Sequence, residues 1–218
     1  MKQSQTKAMI DDESLIDARP LLDKEPFIDK EPLIDKEPLI DNEHWLNIAQ
    51  KCPSPNFNHR PEDEISLLVI HNISLPPKQY GGPFVQDFFC NRLDINADPY
   101  FAEIAHLQVS SHLFIRRDGT IIQFVPFNQR AWHAGLSHYS GRDNCNDFSI
   151  GIEMEGCDDE AYTDFQYASL QQVTVLLIQA YPDISTDRIT GHEFISPKRK
   201  TDPGRAFKWQ RLFTGLKC

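Results

Sequence analysis

The sequence predicts an α/β fold of the mixed α+β kind, in which helices flank a central mixed β-sheet and an extended arm precedes the domain. A short apolar run at residues 65–71 is typical of a buried strand. Residues 149–156 alternate with the period of two that a strand requires. Residues 163–181 carry apolar side chains at helical spacing. The 218 residues are enough for one substantial domain and an appendage.

The N-terminal arm is predicted to cover residues 1–41 as a low-complexity, disordered segment, and the single folded domain is predicted to cover residues 42–218. A six-residue repeat begins at Asp11, and four consecutive copies carry proline at their fourth position. These prolines are Pro20, Pro26, Pro32 and Pro38. Proline at this spacing forbids a continuous helix and favours extended backbone. The alternative is a docking arm whose Leu, Ile and Phe pairs contact the domain or an unknown partner.

Charge and composition exclude several classes of partner. The net charge is −10, and residues 1–46 carry twelve acids and six bases, so no basic face remains to neutralise phosphates of a nucleic acid. No apolar run is long enough to span a bilayer, and residues 1–16 lack the apolar core of a signal peptide. Five scattered cysteines without a CxxC motif are typical of reduced thiols. We therefore expect a cytoplasmic protein with neither a membrane nor a nucleic-acid partner.

The first predicted strand ends at His71, and polar side chains at strand ends commonly point into ligand clefts. A single histidine after a strand is more often structural, so its position alone leaves both roles open. Pro83 and the pair Asp98-Pro99 each begin a short helix, predicted at residues 84–89 and 99–106. The loops around these helices are long enough to wall a groove.

A β-hairpin is predicted at residues 111–126, where two alternating runs surround Arg117-Asp118-Gly119. Trp132 and His133 follow it side by side in a compact loop. An aromatic ring beside a polar group suits the face of a sugar or a peptide. A core tryptophan beside a hydrogen-bonded structural imidazole is an equally good interpretation.

On the strand at residues 149–156, Ile150, Ile152 and Met154 face one side, and Glu153 and Glu155 face the other among small residues. Two carboxylates on one strand face amid apolar neighbours favour a functional site. One of them is a candidate general base, because burial and a neighbouring charge raise the pKa of a carboxyl group. An ordinary solvated acidic face is the alternative.

The one long helix is predicted to begin at a Thr163-x-x-Gln166 capping box, to carry an apolar stripe from Phe165 to Ala180, and to end at Pro182. The segment after it, residues 190–204, holds His192 and Asp202, with a lysine two residues before the aspartate. Nitrogen and oxygen donors suit Zn²⁺, and catalytic zinc sites keep three protein ligands and one open position. Two potential ligands on one loop therefore need a third from elsewhere.

Five motifs follow one another along about residues 42–218. They are His71 after a buried strand, Ser111-His112 with Arg117-Asp-Gly119, Arg130-Ala-Trp-His-Ala-Gly135, Asn146-Asp-Phe-Ser-Ile-Gly-Ile-Glu153, and Gly191-His192 with Lys200-Thr-Asp-Pro-Gly204. In this order they resemble the zinc-dependent N-acetylmuramoyl-L-alanine amidases, whose fold is that of T7 lysozyme and the peptidoglycan recognition proteins. Residues 1–41 have no counterpart in that pattern.

The resemblance implies that His71, His192 and Asp202 bind Zn²⁺, that Glu153 activates the attacking water, and that Lys200 stabilises the oxyanion. On the same strand face as Glu153, the second glutamate (Glu155) is a candidate for orienting a ligand or Glu153 itself. Secreted relatives carry cysteine as the third ligand. With Asp202 at this position, the chain resembles the cytosolic branch of the family instead.

The implied activity is hydrolysis of the amide between (1,6-anhydro)-N-acetylmuramic acid and L-alanine in small muropeptides during peptidoglycan recycling. The alternative is a muropeptide-binding module of the peptidoglycan-recognition type, in which the groove persists without catalysis. The presence of all three proposed ligands, Glu153 and Lys200 disfavours that alternative.

Overall fold

The computed structural model describes residues 39–216. Most of the predicted arm therefore lies outside the described residues, and its disorder stays a prediction. Where the description begins, Ile40 pairs with Leu46, and Leu46 is buried. Within residues 39–216, no helix has both the length and the apolar character needed to cross a membrane.

Ten short strands and five α-helices make up the regular structure of the described residues. The strands are β1 (Gln50–Lys51), β2 (Phe57–His59), β3 (Leu67–Ile73), β4 (Leu113–Ile115), β5 (Ile121–Gln123), β6 (Gln129–Ala131), β7 (His138–Tyr139), β8 (Arg142–Asp143), β9 (Ser149–Glu155) and β10 (Ile189–Gly191). The helices are α1 (Phe84–Phe89), α2 (Phe101–Ile104), α3 (Asp164–Ala180), α4 (His192–Ile195) and α5 (Trp209–Gly215). Single 3₁₀ turns lie at Cys145–Asp147 and Thr186–Arg188.

The central sheet has six strands in the order β1-β5-β4-β9-β3-β10. Adjacent strands of this sheet run parallel, except for β4 and β5, which are antiparallel and form the predicted hairpin. Two antiparallel pairs, β2–β6 and β7–β8, lie outside this sheet. The predicted α/β fold with a mixed sheet flanked by helices is thus confirmed.

Strands β3 and β9 form the centre of the sheet and are covered on both faces, which explains the continuous apolar run of β3. Ile150, Ile152 and Met154 pack in one cluster with the buried side of α3, as their alternation predicts. Leu67 and Val69 pack on the opposite face in a separate cluster. The face of β9 that carries its glutamates is therefore the face opposite α3.

Helix α3 begins at the predicted capping box. The Thr163 hydroxyl accepts a hydrogen bond from the Gln166 N–H, and the Gln166 side chain accepts one from the Thr163 N–H, each at 3.1 Å. Leu170 and Leu177 are fully buried, whereas Phe165 at the start of the predicted stripe is 68% exposed. The first turn buries Gln166 and Tyr167 instead of Phe165, so the apolar stripe is shorter than its sequence pattern indicates.

Candidate functional site

Three parallel strands, β10, β3 and β9, end at the same edge of the sheet, and that edge carries the predicted site residues. His71 in β3 lies directly opposite Glu153 in β9. Gly191, the last residue of β10, pairs with Ile70, which places His192 beside the end of β3. The chain then returns after α4, and the Glu193 N–H donates to the Asp202 carbonyl at 2.9 Å. The topology thereby brings together His71 and Asp202, which are 131 positions apart in the sequence.

The three residues predicted as metal ligands present one atom each to a common point. The distance from His71 Nδ1 to His192 Nδ1 is 2.9 Å, and Asp202 Oδ2 lies 3.1 Å from the first and 3.0 Å from the second. A tetrahedral zinc ion with bonds of about 2.0–2.1 Å separates its ligand atoms by about 3.3 Å. Two imidazole nitrogens and one carboxylate oxygen at these spacings fit such an ion by both chemistry and size.

The hydrogen bonds of His192 fix which of its nitrogens is free. Its Nε2 lies 3.0 Å from the Ala134 carbonyl oxygen, which can only accept, whereas Arg199 Nη2 lies farther from Nε2, at 3.4 Å, and donates to that same carbonyl at 2.7 Å. For a neutral ring, the shorter contact places the hydrogen on Nε2 and leaves Nδ1 bare. A bare nitrogen and a carboxylate oxygen therefore stand 3.0 Å apart in a buried site. Two acceptors at that distance need a positive group or a donor hydrogen between them. Either a cation or a hydrogen on His71 Nδ1 can meet this need.

Burial and neighbouring charges set the protonation of these groups. Burial, followed by electrostatic repulsion whenever His192 is protonated, lowers the pKa of His71 to about 4, so His71 is neutral at neutral pH. Burial alone would raise the pKa of Asp202, but the adjoining imidazoles of His192 and His71 outweigh it and hold that pKa below its ordinary value. The site thus contains a neutral His71 beside a carboxylate.

Glu153 is the buried carboxyl group beside this cluster, and it lines the same cleft. The residue is 8% exposed, and its Oε2 has no hydrogen-bond partner within residues 39–216. Burial, followed by the charge of Asp202, raises the pKa of Glu153 well above its ordinary value, while Lys200 opposes the rise. An unpartnered carboxyl with a raised pKa has the character of a proton-transfer group, in line with the candidate base predicted on this strand.

Lys200 lies on the rim of the cleft and is exposed. Its charge lowers the pKa of both His71 and Glu153, so its ammonium group is close to the cluster. In the part of the chain that the structure describes, no protein hydrogen bond or ion pair occupies this side chain. The lysine is consequently available to an anionic group in the cleft.

The cleft has a volume of about 970 Å³. One wall comes from α1, α2 and the residues after α2, in agreement with the prediction that the loops around these helices wall a groove. Its lining there includes Phe88, Phe89, Tyr100, Ile104, Leu107 and Val109. Trp132 lies at the cleft, and its indole N–H donates to Asn58 Oδ1 at 2.7 Å. An apolar wall opposite charged groups suits a ligand that has both an apolar part and a polar or charged part.

Two residues have contacts that the sequence did not reveal. Glu155 accepts hydrogen bonds from the Gly81 N–H at 2.6 Å and the Arg117 N–H at 2.9 Å, so it anchors two loops instead of orienting Glu153. His133 is buried and hydrogen-bonded to the ring of His71 at 2.9 Å, whereas its neighbour Trp132 faces the cleft. The ligand-facing interpretation of the Trp-His pair therefore applies to Trp132, and the structural interpretation applies to His133. In the sequence, the signal for the packing of His133 is Gly151, because a glycine on the site face of β9 leaves room for a large side chain.

Comparisons with known proteins agree with this geometry. Residues 61–205 match the family model described as N-acetylmuramoyl-L-alanine amidase. The chain is 59% identical over 169 residues to the 1,6-anhydro-N-acetylmuramyl-L-alanine amidase AmpD of Escherichia coli (strain K12), which covers 77% of this chain and 92% of that protein.

Solved structures give the same result. The crystal structure of a selenomethionine AmpD derivative superposes with a TM-score of 0.78 at 56% identity, covering 80% of this chain and 98% of that one. The complex of the amidase AmiD from E. coli with the substrate anhydro-N-acetylmuramic acid-L-Ala-D-γ-Glu-L-Lys has a TM-score of 0.52 at 29% identity, covering 69% and 57%.

Proposed function

The chain belongs to the N-acetylmuramoyl-L-alanine amidase family, and we propose that it hydrolyses the amide bond between 1,6-anhydro-N-acetylmuramic acid and L-alanine in muropeptides during peptidoglycan recycling. The observation that carries the proposal is the unpartnered Glu153 carboxyl beside three converging metal-ligand atoms in one cleft. The names of the AmpD relatives and the substrate in the AmiD complex support this choice of bond. The chain also spans nearly the whole length of those AmpD proteins.

The metal in this proposal is Zn²⁺, held by His71 Nδ1, His192 Nδ1 and Asp202 Oδ2. Two nitrogens and one oxygen at nearly tetrahedral spacing support zinc over Mg²⁺ or Ca²⁺, which prefer six or more oxygen ligands. Bound zinc lowers the pKa of water from 15.7 to about 7 and polarises a carbonyl oxygen. The protein holds the ligands rigidly, since both imidazoles are almost fully buried.

Glu153 is proposed as the general base. Its carboxylate would take a proton from the attacking water and deliver it to the nitrogen of the departing L-alanine, so that one acid and one amine form per water consumed. Burial supports this role because it makes the carboxylate a better proton acceptor. A divalent cation in the neighbouring site would lower the pKa of Glu153 again and keep the group ionised at neutral pH.

Lys200 is proposed to stabilise the negative charge that develops on the carbonyl oxygen of the scissile amide. Its position on the cleft rim, its electrostatic effect on Glu153, and the lack of a protein partner among residues 39–216 support this role. Removal of one such electrostatic donor typically costs about 10²–10³ in kcat. Lys200→Ala should therefore lower kcat by about that factor and leave zinc content unchanged.

The substrate in this proposal is a small muropeptide, and neither a nucleic acid nor a membrane is a partner. The acidic net charge of −10 supports the first exclusion. A cytoplasmic location is part of the same proposal and is supported by five scattered cysteines without a CxxC motif, a pattern typical of reduced thiols. Fractionation against a periplasmic marker enzyme tests the location.

Zinc content and product analysis together test the function. The purified protein should contain one zinc per chain and release a peptide with a free N-terminal L-alanine from an anhydromuropeptide, and a chelator should stop the release. Glu153→Gln should keep the metal and lose hydrolysis, whereas Asp202→Ala should lose the metal. An active Glu153→Gln protein would refute the base assignment. Tight muropeptide binding without any release would favour the binding-module alternative.

A further inference from the structure

A chain of buried hydrogen bonds extends from the back of His71 into the protein. His71 Nε2 lies 2.9 Å from His133 Nδ1, and His133 Nε2 lies 3.2 Å from the Ser149 hydroxyl oxygen. The Ser149 hydroxyl donates in turn to the Cys145 carbonyl at 2.5 Å. His71, His133 and Ser149 are 1%, 9% and 0% exposed, so the protein alone decides where their hydrogens lie.

The hydrogens along this chain have only one consistent arrangement for neutral rings. The Cys145 carbonyl can only accept, so the single hydrogen of the Ser149 hydroxyl points to it. The hydroxyl oxygen must then accept from His133 Nε2, which leaves His133 Nδ1 bare. His133 Nδ1 consequently accepts the hydrogen of His71 Nε2, and His71 Nδ1 is bare as well.

This arrangement decides the question that the ligand cluster leaves open. His71 Nδ1 has no hydrogen to offer to His192 Nδ1 or to Asp202 Oδ2, which lie 2.9 and 3.1 Å away. With both rings neutral, three acceptor atoms face one another, and a metal cation is a group that satisfies all three. His192 obtains its tautomer directly from a carbonyl acceptor, whereas His71 depends on a second imidazole, which can itself adopt either tautomer.

The Asn146 side chain and strand β9 fix the position of His133. Asn146 Oδ1 accepts from the N–H groups of His133 and Ala134, at 3.1 and 2.8 Å. The ring lies against Gly151 of β9, where an added Cβ would come within 2.5 Å of His133 Cγ. Only glycine leaves enough space for the ring on this part of the strand face.

We propose that His133, oriented by Ser149, is a positioning residue that keeps His71 in the tautomer whose Nδ1 binds the metal. The proposal rests on the metal site of the proposed function. It adds His133 and Ser149 as the residues that hold one metal ligand, His71, in its orientation. Loss of such a partner typically weakens metal binding by about 10- to 100-fold.

Zinc affinity, measured by competition with a chromophoric chelator, tests this role without any assay of activity. His133→Phe keeps a ring of similar shape but offers no acceptor, and should weaken zinc binding by about 10- to 100-fold. His133→Asn offers its side-chain oxygen near the position of Nδ1 and should restore most of the affinity. Ser149→Ala leaves His133 free to adopt the other tautomer and should give a smaller loss than His133→Phe.

Ser111→Ala is the matched control for Ser149→Ala. Ser111 is also fully buried and donates to a carbonyl, that of Gly151 at 2.8 Å, but among the described residues its hydroxyl makes no hydrogen bond to His133. Its variant should bind zinc as tightly as the unmodified protein. Ring ¹⁵N shifts give a second readout, because they identify the nitrogen of His133 that carries hydrogen, and Ser149→Ala should change that pattern while Ser111→Ala should not.

The outcomes separate the two proposals. If the unmodified protein binds no zinc, the metal site of the proposed function is wrong and this inference falls with it. If the unmodified protein binds zinc while Ser149→Ala and His133→Phe bind it equally well, only the positioning role is overturned. Should His133→Phe fail to fold, the comparison of Ser149→Ala with Ser111→Ala and the result for His133→Asn still decide the matter.

Discussion

Replacement of His112 by asparagine should make the folded protein less sensitive to acid. His112 is fully buried beneath the site, where its Nδ1 accepts from the Gly151 N–H and its Nε2 donates to the Gln129 carbonyl, each at 3.0 Å. Burial, followed by the charge of Arg60, lowers the pKa of His112 to about 3. Asparagine cannot take up a proton in this range, and its side-chain oxygen can still accept from Gly151.

The size of the effect follows from the difference in pKa between the folded and unfolded states. Between about pH 6.5, where an unfolded histidine titrates, and about pH 3, the unfolded chain binds one more proton at this position than the folded chain. Stability therefore falls with decreasing pH, by about 1.4 kcal/mol for each unit. At about pH 5 the contribution of His112 to this loss is about 2 kcal/mol, and it is absent above about pH 7.

Urea unfolding followed by circular dichroism at about pH 7.5 and about pH 5 measures this difference. Excess chelator in every sample removes any contribution from loss of metal at low pH. The free energy of unfolding should fall by about 2 kcal/mol less in His112→Asn than in the unmodified protein. His59→Asn, at an exposed position of β2, controls for the exchange of histidine for asparagine as such. Equal losses in His112→Asn and the unmodified protein would refute the reasoning.

Three further predictions concern the packing of the site, its loops and the N-terminal arm. Gly151→Ala places a Cβ 2.5 Å from His133 Cγ, so it should cost about 1–3 kcal/mol in a thermal unfolding assay and weaken zinc binding; unchanged affinity would contradict the packing argument. Glu155→Gln removes the carboxylate that accepts from two backbone N–H groups, and should cost about 1–3 kcal/mol in urea unfolding while the metal content stays normal. Deletion of residues 1–38 should leave kcat/KM on an anhydromuropeptide within about twofold, since the cleft lining found among the described residues lies wholly between residues 71 and 205; a larger loss would favour the docking-arm interpretation.

The elements that the sequence predicts well are those whose signal is local. The apolar run of β3, the alternation of β9, the hairpin of β4 and β5, and the capping box of α3 each lie within one segment and are confirmed. Strands β1, β2 and β6 have only two or three residues each, too few for a periodic pattern, and no turn motif joins them to a neighbouring strand as one joins β4 to β5. Their pairing depends on tertiary contacts, and the sequence predicts neither their existence nor the strand order.

The candidate site could be predicted only in part from its residues. His192 and Asp202 are ten positions apart on one segment, so they could be recognised as a possible ligand pair. His71 is 121 positions from His192, and a strand-end histidine is by itself ambiguous, so its place in the set depends on the resemblance to a family. The sequence leaves the role of His133 open because the acceptor for its ring, Ser149, lies 16 positions away on β9, while His133 itself follows β6 in a loop.

The face of β9 opposite the core shows why one short strand has to carry this exact alternation. Ser149 ends the hydrogen-bond chain behind His71, Gly151 makes room for His133, Glu153 faces the cleft, and Glu155 anchors two loops. These four residues share a face because side chains two positions apart point the same way. The isoleucines and methionine between them fill the core on the α3 side. A shift of one residue would therefore bury the polar set in the core and expose the apolar set to the site, so the register that stabilises the sheet is also the register that assembles the site.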